Sequence, residues 1–133
     1  MINWTYQGEQ NTINNHGDGP IIFVWKGYYW LILNAENGGN RGLTVWRSHD
    51  GSDNWTNEGT ILATGGSRPH DKGAVRTGDV VVSGDEAYLF YYVMDDRYPR
   101  GKQSLVQVAR LVFNEGALTC DRNAPFELKL GTP

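Results

Sequence analysis

Asn3-Trp4-Thr5-Tyr6-Gln7-Gly8-Glu9 and Asn54-Trp55-Thr56-Asn57-Glu58-Gly59-Thr60 open on the same tripeptide at an offset of 51 residues. Each copy is followed by a Gly-rich stretch holding a His and an Asp, and then by a pair of apolar runs. A period of about 50 residues built from short strands is the mark of β-propeller blades, each repeat supplying one four-stranded sheet. Two blades cannot close a ring, so the chain reads as an incomplete propeller.

The strands follow from the punctuation around the second copy. Pro20 to Trp25 and Tyr28 to Leu33 are short runs of β-branched and aromatic residues, split by Lys26-Gly27, which predicts an antiparallel hairpin. A polar loop, Asn34 to Asn40, leads to a third strand at Leu43 to Trp46. Ser48 to Asp53 carries the Asp, Ser and Gly chemistry of a tight turn, and Asn54 to Leu62 is a fourth, more polar strand. The pattern then recurs. Asp79 to Ser83, Ala87 to Val93 and Ser104 to Phe113 read as strands, and Ala117 to Leu130 holds the eighth, interrupted by Asn123-Ala124-Pro125.

The first strand of each set is the most continuously apolar and the fourth the most polar. That gradient suits a blade, whose innermost strand is buried on both faces. The reading is therefore all-β: residues 19–62 a first blade, 63–78 a loop from rim to axis, and 79–133 a second blade. Residues 1–18 hold one extra outer strand, from a blade whose other strands are missing, and a second such loop. A β-sandwich of nine or so strands also accommodates the strand pattern.

Composition narrows the function. The chain has 133 residues, the size of one domain, with five Trp, seven Tyr and 17 Gly. Its formal charge of −3 offers no basic footprint for nucleic acid. Cys120 is the single cysteine, so neither an intrachain disulfide nor a thiol metal cluster is expected. No apolar run is long enough to span a bilayer, and Met1-Ile2-Asn3-Trp4 lacks a secretory leader's basic region, so the expected location is cytoplasmic unless the chain is a fragment. No cofactor is called for, and no membrane partner.

Several segments together resemble the five-bladed propeller of family 43 glycoside hydrolases, the arabinofuranosidase and xylosidase type. They are Trp25-Lys26-Gly27-Tyr28-Tyr29-Trp30, Val45-Trp46-Arg47-Ser48 with Asp50-Gly51 and Asn54-Trp55, Ala87 to Tyr92, Gln107 to Leu111, and Leu118 to Arg122. These are structural motifs of blades rather than a catalytic signature. The resemblance implies carboxylates at the funnel where innermost strands begin, with a general acid in a Glu-Gly-Pro motif ahead of a Gly-Tyr-Tyr strand. Asp18-Gly19-Pro20 stands at that place, so Asp18 is the candidate acid, one methylene shorter than Glu. The blade that would carry the base is missing, and Thr77 stands where relatives place a His.

Glycoside hydrolysis needs one carboxyl to protonate the leaving oxygen and another to attack or to activate water. Asp79, expected to begin the second innermost strand, is the other catalytic candidate. Asp18 also reads as a turn residue and Asp79 as a strand initiator. Candidate ligand contacts are Asp71 and Arg76 in or beside the long loop Thr64 to Gly78, Trp25 and Trp30 as stacking platforms, and Arg97 with Tyr98 in the loop Met94 to Lys102. Trp46 and Trp55 read as packing between sheets. His16, His49 and His70 lack a third ligand at metal spacing and read as local hydrogen-bonding residues.

The expected function is a truncated glycoside-hydrolase-like propeller module, noncatalytic alone and able to bind carbohydrate. Two alternatives stand beside it: a glycosidase active only when other chains or blades complete it, and a self-associating structural module. Uncovered blade faces favour a homo-oligomer.

Overall fold

The computed structural model describes residues 3, 5, 6, 18–35, 42–94, 97 and 103–131. Most of the N-terminal copy of the repeat, at 1, 2, 4 and 7–17, lies outside the described residues, and with it the expected extra strand. Among the described residues there are eight strands and no helix, hence no helix able to cross a membrane. β1 (Ile21–Trp25), β2 (Tyr28–Asn34), β3 (Leu43–Ser48) and β4 (Thr56–Ile61) form one sheet in chain order. β5 (Val75–Ser83), β6 (Glu86–Met94), β7 (Ser104–Asn114) and β8 (Ala117–Cys120) form the other. Every neighbouring pair is antiparallel, as hairpins connected by short turns must be. These are the two expected blades, and the sheets are not closed into a ring.

The tight turns explain the registers. Lys26-Gly27 joins β1 to β2 with φ of 53° and 80°, and Glu115-Gly116 joins β7 to β8 with φ of 50° and 81°. Two consecutive positive φ values give the turn whose twist matches paired strands, and Gly takes the second position without strain. Register then alternates faces along each strand. Ile21, Phe23 and Trp25 of β1 point to one side, with Trp30 and Ile32 of β2 and Leu43 and Val45 of β3. Opposite them lie Ala87, Leu89, Tyr91 and Val93 of β6, Ala109 and Leu111 of β7, and Leu118 of β8. The two inner faces share one core.

Polar bonds fasten the blades where the apolar core ends. At the turn end, Trp25 Nε1 donates to the Asp85 carbonyl at 3.2 Å, Lys26 pairs with the Asp85 carboxylate at 2.9 Å, and Arg47 donates to the Gly116 carbonyl at 3.2 Å. Trp46 and Trp55 do pack, but on the face of the first blade turned away from the second, with Leu31 and Leu33.

Two boundaries differ from the sequence reading. β5 begins at Val75, four residues before Asp79, and bulges between Thr77 and Asp79. Gly78 sits in that bulge, and a side chain there would meet the Phe90 carbonyl at 2.6 Å. The Gly read as a strand boundary is thus a bulge within the strand. β8 ends at Cys120 rather than near Leu130. Asp121 turns the chain, its carboxylate accepting from Asn123 N at 2.9 Å and its carbonyl from Ala124 N at 3.3 Å. Pro125 then has no amide to donate to a ladder.

Trp30 has no exposed surface, donates from Nε1 to the Trp25 carbonyl at 3.0 Å, and meets Phe113 of the other blade edge-on at 5.4 Å. Trp30→Ala removes this bridge between sheets, and urea unfolding is expected to show a loss of about 3–5 kcal/mol. A loss under about 1 kcal/mol, the scale of a surface change, would show that the two sheets do not share this core.

Candidate functional site

The free end of the blade pair, opposite the tight turns, gathers Asp18, Gly19, Asn34, Arg76 and Thr77. Asn34 closes β2 and is buried, and its side chain is bonded on both sides. Its Nδ2 donates to Asp18 Oδ1, and its Oδ1 accepts from the Thr77 backbone N at 2.8 Å. The Asn34 backbone N donates to the Asp18 carbonyl at 3.0 Å, and Thr77 Oγ1 donates to the Gly19 carbonyl at 2.6 Å. This latch ties the chain ahead of β1 to the bulged start of β5. Gly19 has φ of 61°, and a side chain there would run into Thr77 Oγ1 and lie 2.8 Å from Asn34 Nδ2. The Gly is needed for that approach as much as for its backbone angle.

Within the latch the Asp18 side chain remains 68 % exposed, and Arg76, 47 % exposed, lies 3.9 Å from Oδ1. One carboxylate and one guanidinium thus face solvent where the two innermost strands meet, with the buried Asn34 amide behind them. Asp79 stands mid-strand and exposed, and its Oδ1 accepts from the next backbone amide, Val80 N, at 2.8 Å. That self-contained bond is the behaviour of a strand residue at a bulge.

The remaining candidates are placed apart. Trp25 lies at the far end of the five-residue β1, about 20 Å from Asp18 at the rise of a strand. It is 5 % exposed and Trp30 is 0 % exposed, so neither offers an open ring face for a sugar. Arg97 is exposed in the loop after β6, and Tyr98 lies outside the described residues. His49 packs on the Tyr28 ring at 4.8 Å, His70 is exposed, and His16 lies outside the described residues. Among the described residues no cluster of three His, Cys, Asp or Glu side chains is arranged to hold a metal.

Asp71 is fully buried, and its bonds go to its own chain. Arg122 donates to Oδ1 at 2.7 Å, while Arg68 at 3.1 Å and the Tyr91 hydroxyl at 2.9 Å donate to Oδ2. Arg122 also holds the Thr64 carbonyl at 2.7 Å, and Arg68 the Val108 carbonyl at 2.9 Å. The group staples the loop between the blades to β6, β7 and the turn after β8. A ligand cannot reach this carboxylate, so the structure makes Asp71 a structural residue instead of a ligand contact. Its partners Arg68, Tyr91 and Arg122 escaped the sequence reading. An Arg three residues before an Asp is a local hint, but Arg122 lies 51 positions away, beyond any periodicity.

Burial, reinforced by the hydrogen bond to Asp71, pushes the Tyr91 hydroxyl up to about 12 from the ordinary 10.0. The neutral phenol is thus favoured by the fold. Its contribution is fully present below about pH 10 and is lost as pH rises from there through 12. Tyr91→Phe is expected to remove that alkaline limb from a stability-versus-pH curve, and an unchanged limb would refute the assignment. Asp71→Asn leaves two guanidinium groups facing a neutral amide, and calorimetry is expected to show a loss of about 3–5 kcal/mol.

No protein-family model matches the chain, and no curated protein matches it. Solved structures do. A thermostable family 43 glycoside hydrolase superposes with a TM-score of 0.55 at 18 % identity, over 88 % of this chain and 38 % of its own. A family 43 arabinoxylan arabinofuranohydrolase from Bacillus subtilis, solved with cellotetraose, gives 0.57 at 16 % identity, over 75 % of this chain and 23 % of its own. A β-xylosidase gives 0.56 at 14 % identity, over 78 % of this chain and 29 % of its own. The chain therefore spans between 23 % and 38 % of these structures, and its fold is that of two blades of the family 43 glycoside hydrolase propeller.

Proposed function

We propose that this chain is a truncated glycoside-hydrolase-like propeller module that binds carbohydrate at the Asp18 end and does not hydrolyse it alone. The observation that carries the reading is Asp18 itself. Its carboxylate is held by Asn34 at the meeting of the two innermost strands, yet remains 68 % exposed beside Arg76. A fixed acceptor next to a donor, both open to solvent, is what vicinal sugar hydroxyls require.

The noncatalytic part rests on pairing. Retaining and inverting glycosidases both use two carboxyl groups flanking the scissile bond. The charged partner of Asp18 in ion-pairing range is a guanidinium, and Asp79 spends an oxygen on its own strand. The likeness to arabinofuranohydrolase and xylosidase folds suggests pentose-containing oligosaccharides as the first ligands to test.

Titration with xylo- and arabino-oligosaccharides, followed by amide NMR shifts, is expected to move Gly19, Arg76 and Thr77, with no turnover of aryl xylosides or arabinofuranosides. Asp18→Asn keeps the shape of the latch and loses the charge, so binding should weaken by about tenfold, the scale of one charge-assisted hydrogen bond. Shifts elsewhere on the protein, or none, would defeat the binding reading. Turnover by the isolated chain would defeat the noncatalytic one.

A second reading is favoured by the share of the solved structures that the chain spans, 38 % of the first of them. On that reading the module is part of a hydrolase completed by further blades or by other copies, with Asp18 as its acid. Turnover that appears only in an assembly, and disappears with Asp18→Asn, distinguishes the two.

A further inference from the structure

Arg76 is open at the meeting of the innermost strands, and its guanidinium is unspent. Its approach to Asp18 Oδ1 is 3.9 Å, beyond hydrogen-bond length, and among the described residues it donates no hydrogen bond. The arginines that hold the fold differ. Arg47 donates to the Gly116 carbonyl at 3.2 Å and pairs with Glu58 at 2.9 Å. Arg68 and Arg122 divide their donors among Asp71, Tyr91 and backbone carbonyls. Arg110 is as open as Arg76, but it stands beside Glu86 and away from the latch. Two groups neighbour Arg76. One is Asp18, whose Oδ1 takes both the Asn34 amide and the Arg76 approach, which leaves Oδ2 for a further donor. The other is Tyr92 of β6, half-buried and directly opposite Arg76 in the register, hence on the same face of the sheet.

We propose, on the carbohydrate reading of this end, that Arg76 selects acidic sugars: the module binds oligosaccharides carrying a hexuronic acid, its carboxylate on the Arg76 guanidinium and a neighbouring ring hydroxyl on Asp18. A guanidinium is a planar fork of donors that matches the two oxygens of a carboxylate, whereas sugar hydroxyls meet it as separate, uncharged acceptors. An Asp carboxylate only accepts, so it takes a hydroxyl and repels a second carboxylate, which fixes the direction in which the sugar lies. In a hexuronic acid the carboxyl-bearing ring carbon adjoins a hydroxyl-bearing one, so a single residue reaches both protein groups, which stand 3.9 Å apart. The Asn34 amide on Oδ1 offsets part of the Asp18 charge and so lowers the repulsion between that carboxylate and the ligand's. Tyr92 supplies an aromatic surface beside the guanidinium for the apolar side of the ring.

Titration calorimetry on the full chain tests this with xylotriose bearing a glucuronic acid branch, and with the same oligosaccharide after its carboxyl group is reduced to an alcohol. In the wild type the acid form should bind about tenfold tighter, the scale of a charge-assisted pair, and the advantage should shrink as salt is raised. Arg76→Gln keeps an amide and removes the charge, so the ratio of the two affinities should fall to about one. Arg76→Lys keeps the charge and loses the fork, so its ratio should lie between those of Arg76→Gln and the wild type. Gly19 and Thr77 amide signals at their wild-type positions show that each variant keeps the latch. Equal binding of both forms by the wild type would overturn the acidic-sugar assignment and leave carbohydrate binding standing. A ratio that survives Arg76→Gln would overturn it as well. Binding of neither form would defeat the carbohydrate reading itself.

Discussion

Everything else in this molecule depends on two four-stranded sheets having only each other for one face. Trp30 and Ile32 from one blade and Leu89, Tyr91 and Leu111 from the other lie at or near zero exposure because each sheet completes the burial of its neighbour. At about 25 cal/mol per Å² of apolar surface, such large side chains dominate the favourable side of folding. The polar bonds sit where this core runs out: Trp25 and Lys26 on Asp85 at one end, Asn34 and Thr77 at the other. They orient the sheets, whereas the core holds them together.

The connection from rim to axis poses a separate problem. Residues 62–74 carry little apolar surface, yet they must be held against the second blade. Asp71 solves it by accepting from three side chains on separate segments. A buried carboxylate is costly unless each oxygen is paired, and here both are. Arg68 keeps 27 % of its side chain in solvent, which relieves part of the excess positive charge, whereas Arg122 is 4 % exposed with Nε lacking a partner. The same arrangement places the Tyr91 hydroxyl where ionisation is opposed, so loop geometry and alkaline behaviour share one cause.

The open end of the blade pair contrasts with that interior. The Asp18 carboxylate is fixed but wet, while Asp71 is fixed and dry. In a propeller-type sheet stack the innermost strands converge, so groups at their starts are brought together regardless of their separation in the chain. That convergence sets Arg76 beside Asp18, 58 positions earlier, and leaves Trp25 at the other end of the same strand. On the outer face of the second blade the segment after β8 covers Tyr88, while Val106 stays open.

Much of the fold was legible in the residues. Lys26-Gly27 demands a hairpin, and short runs of β-branched and aromatic residues mark the strands it joins. These are local signals, because turn dihedrals and side-chain propensity act over a few residues. The all-apolar run Ile21–Trp25 read as buried on both faces, whereas Ile22 and Val24 are exposed. What the sequence could not disclose depended on distance. Gly78 read as a boundary, since only the Phe90 carbonyl lying against it marks a bulge. Ala117 to Leu130 read as one interrupted strand, since only the turn that Asp121 makes shows that pairing ends at Cys120 and does not resume. Trp25 and Trp30 suited a sugar platform until the second sheet covered them. The sequence by itself determined the strands, their order and the carboxylate ahead of the first one. Only the tertiary structure decided which carboxylate is exposed and which is locked away, because burial is set by what a neighbouring sheet or loop brings from 20 to 60 residues off.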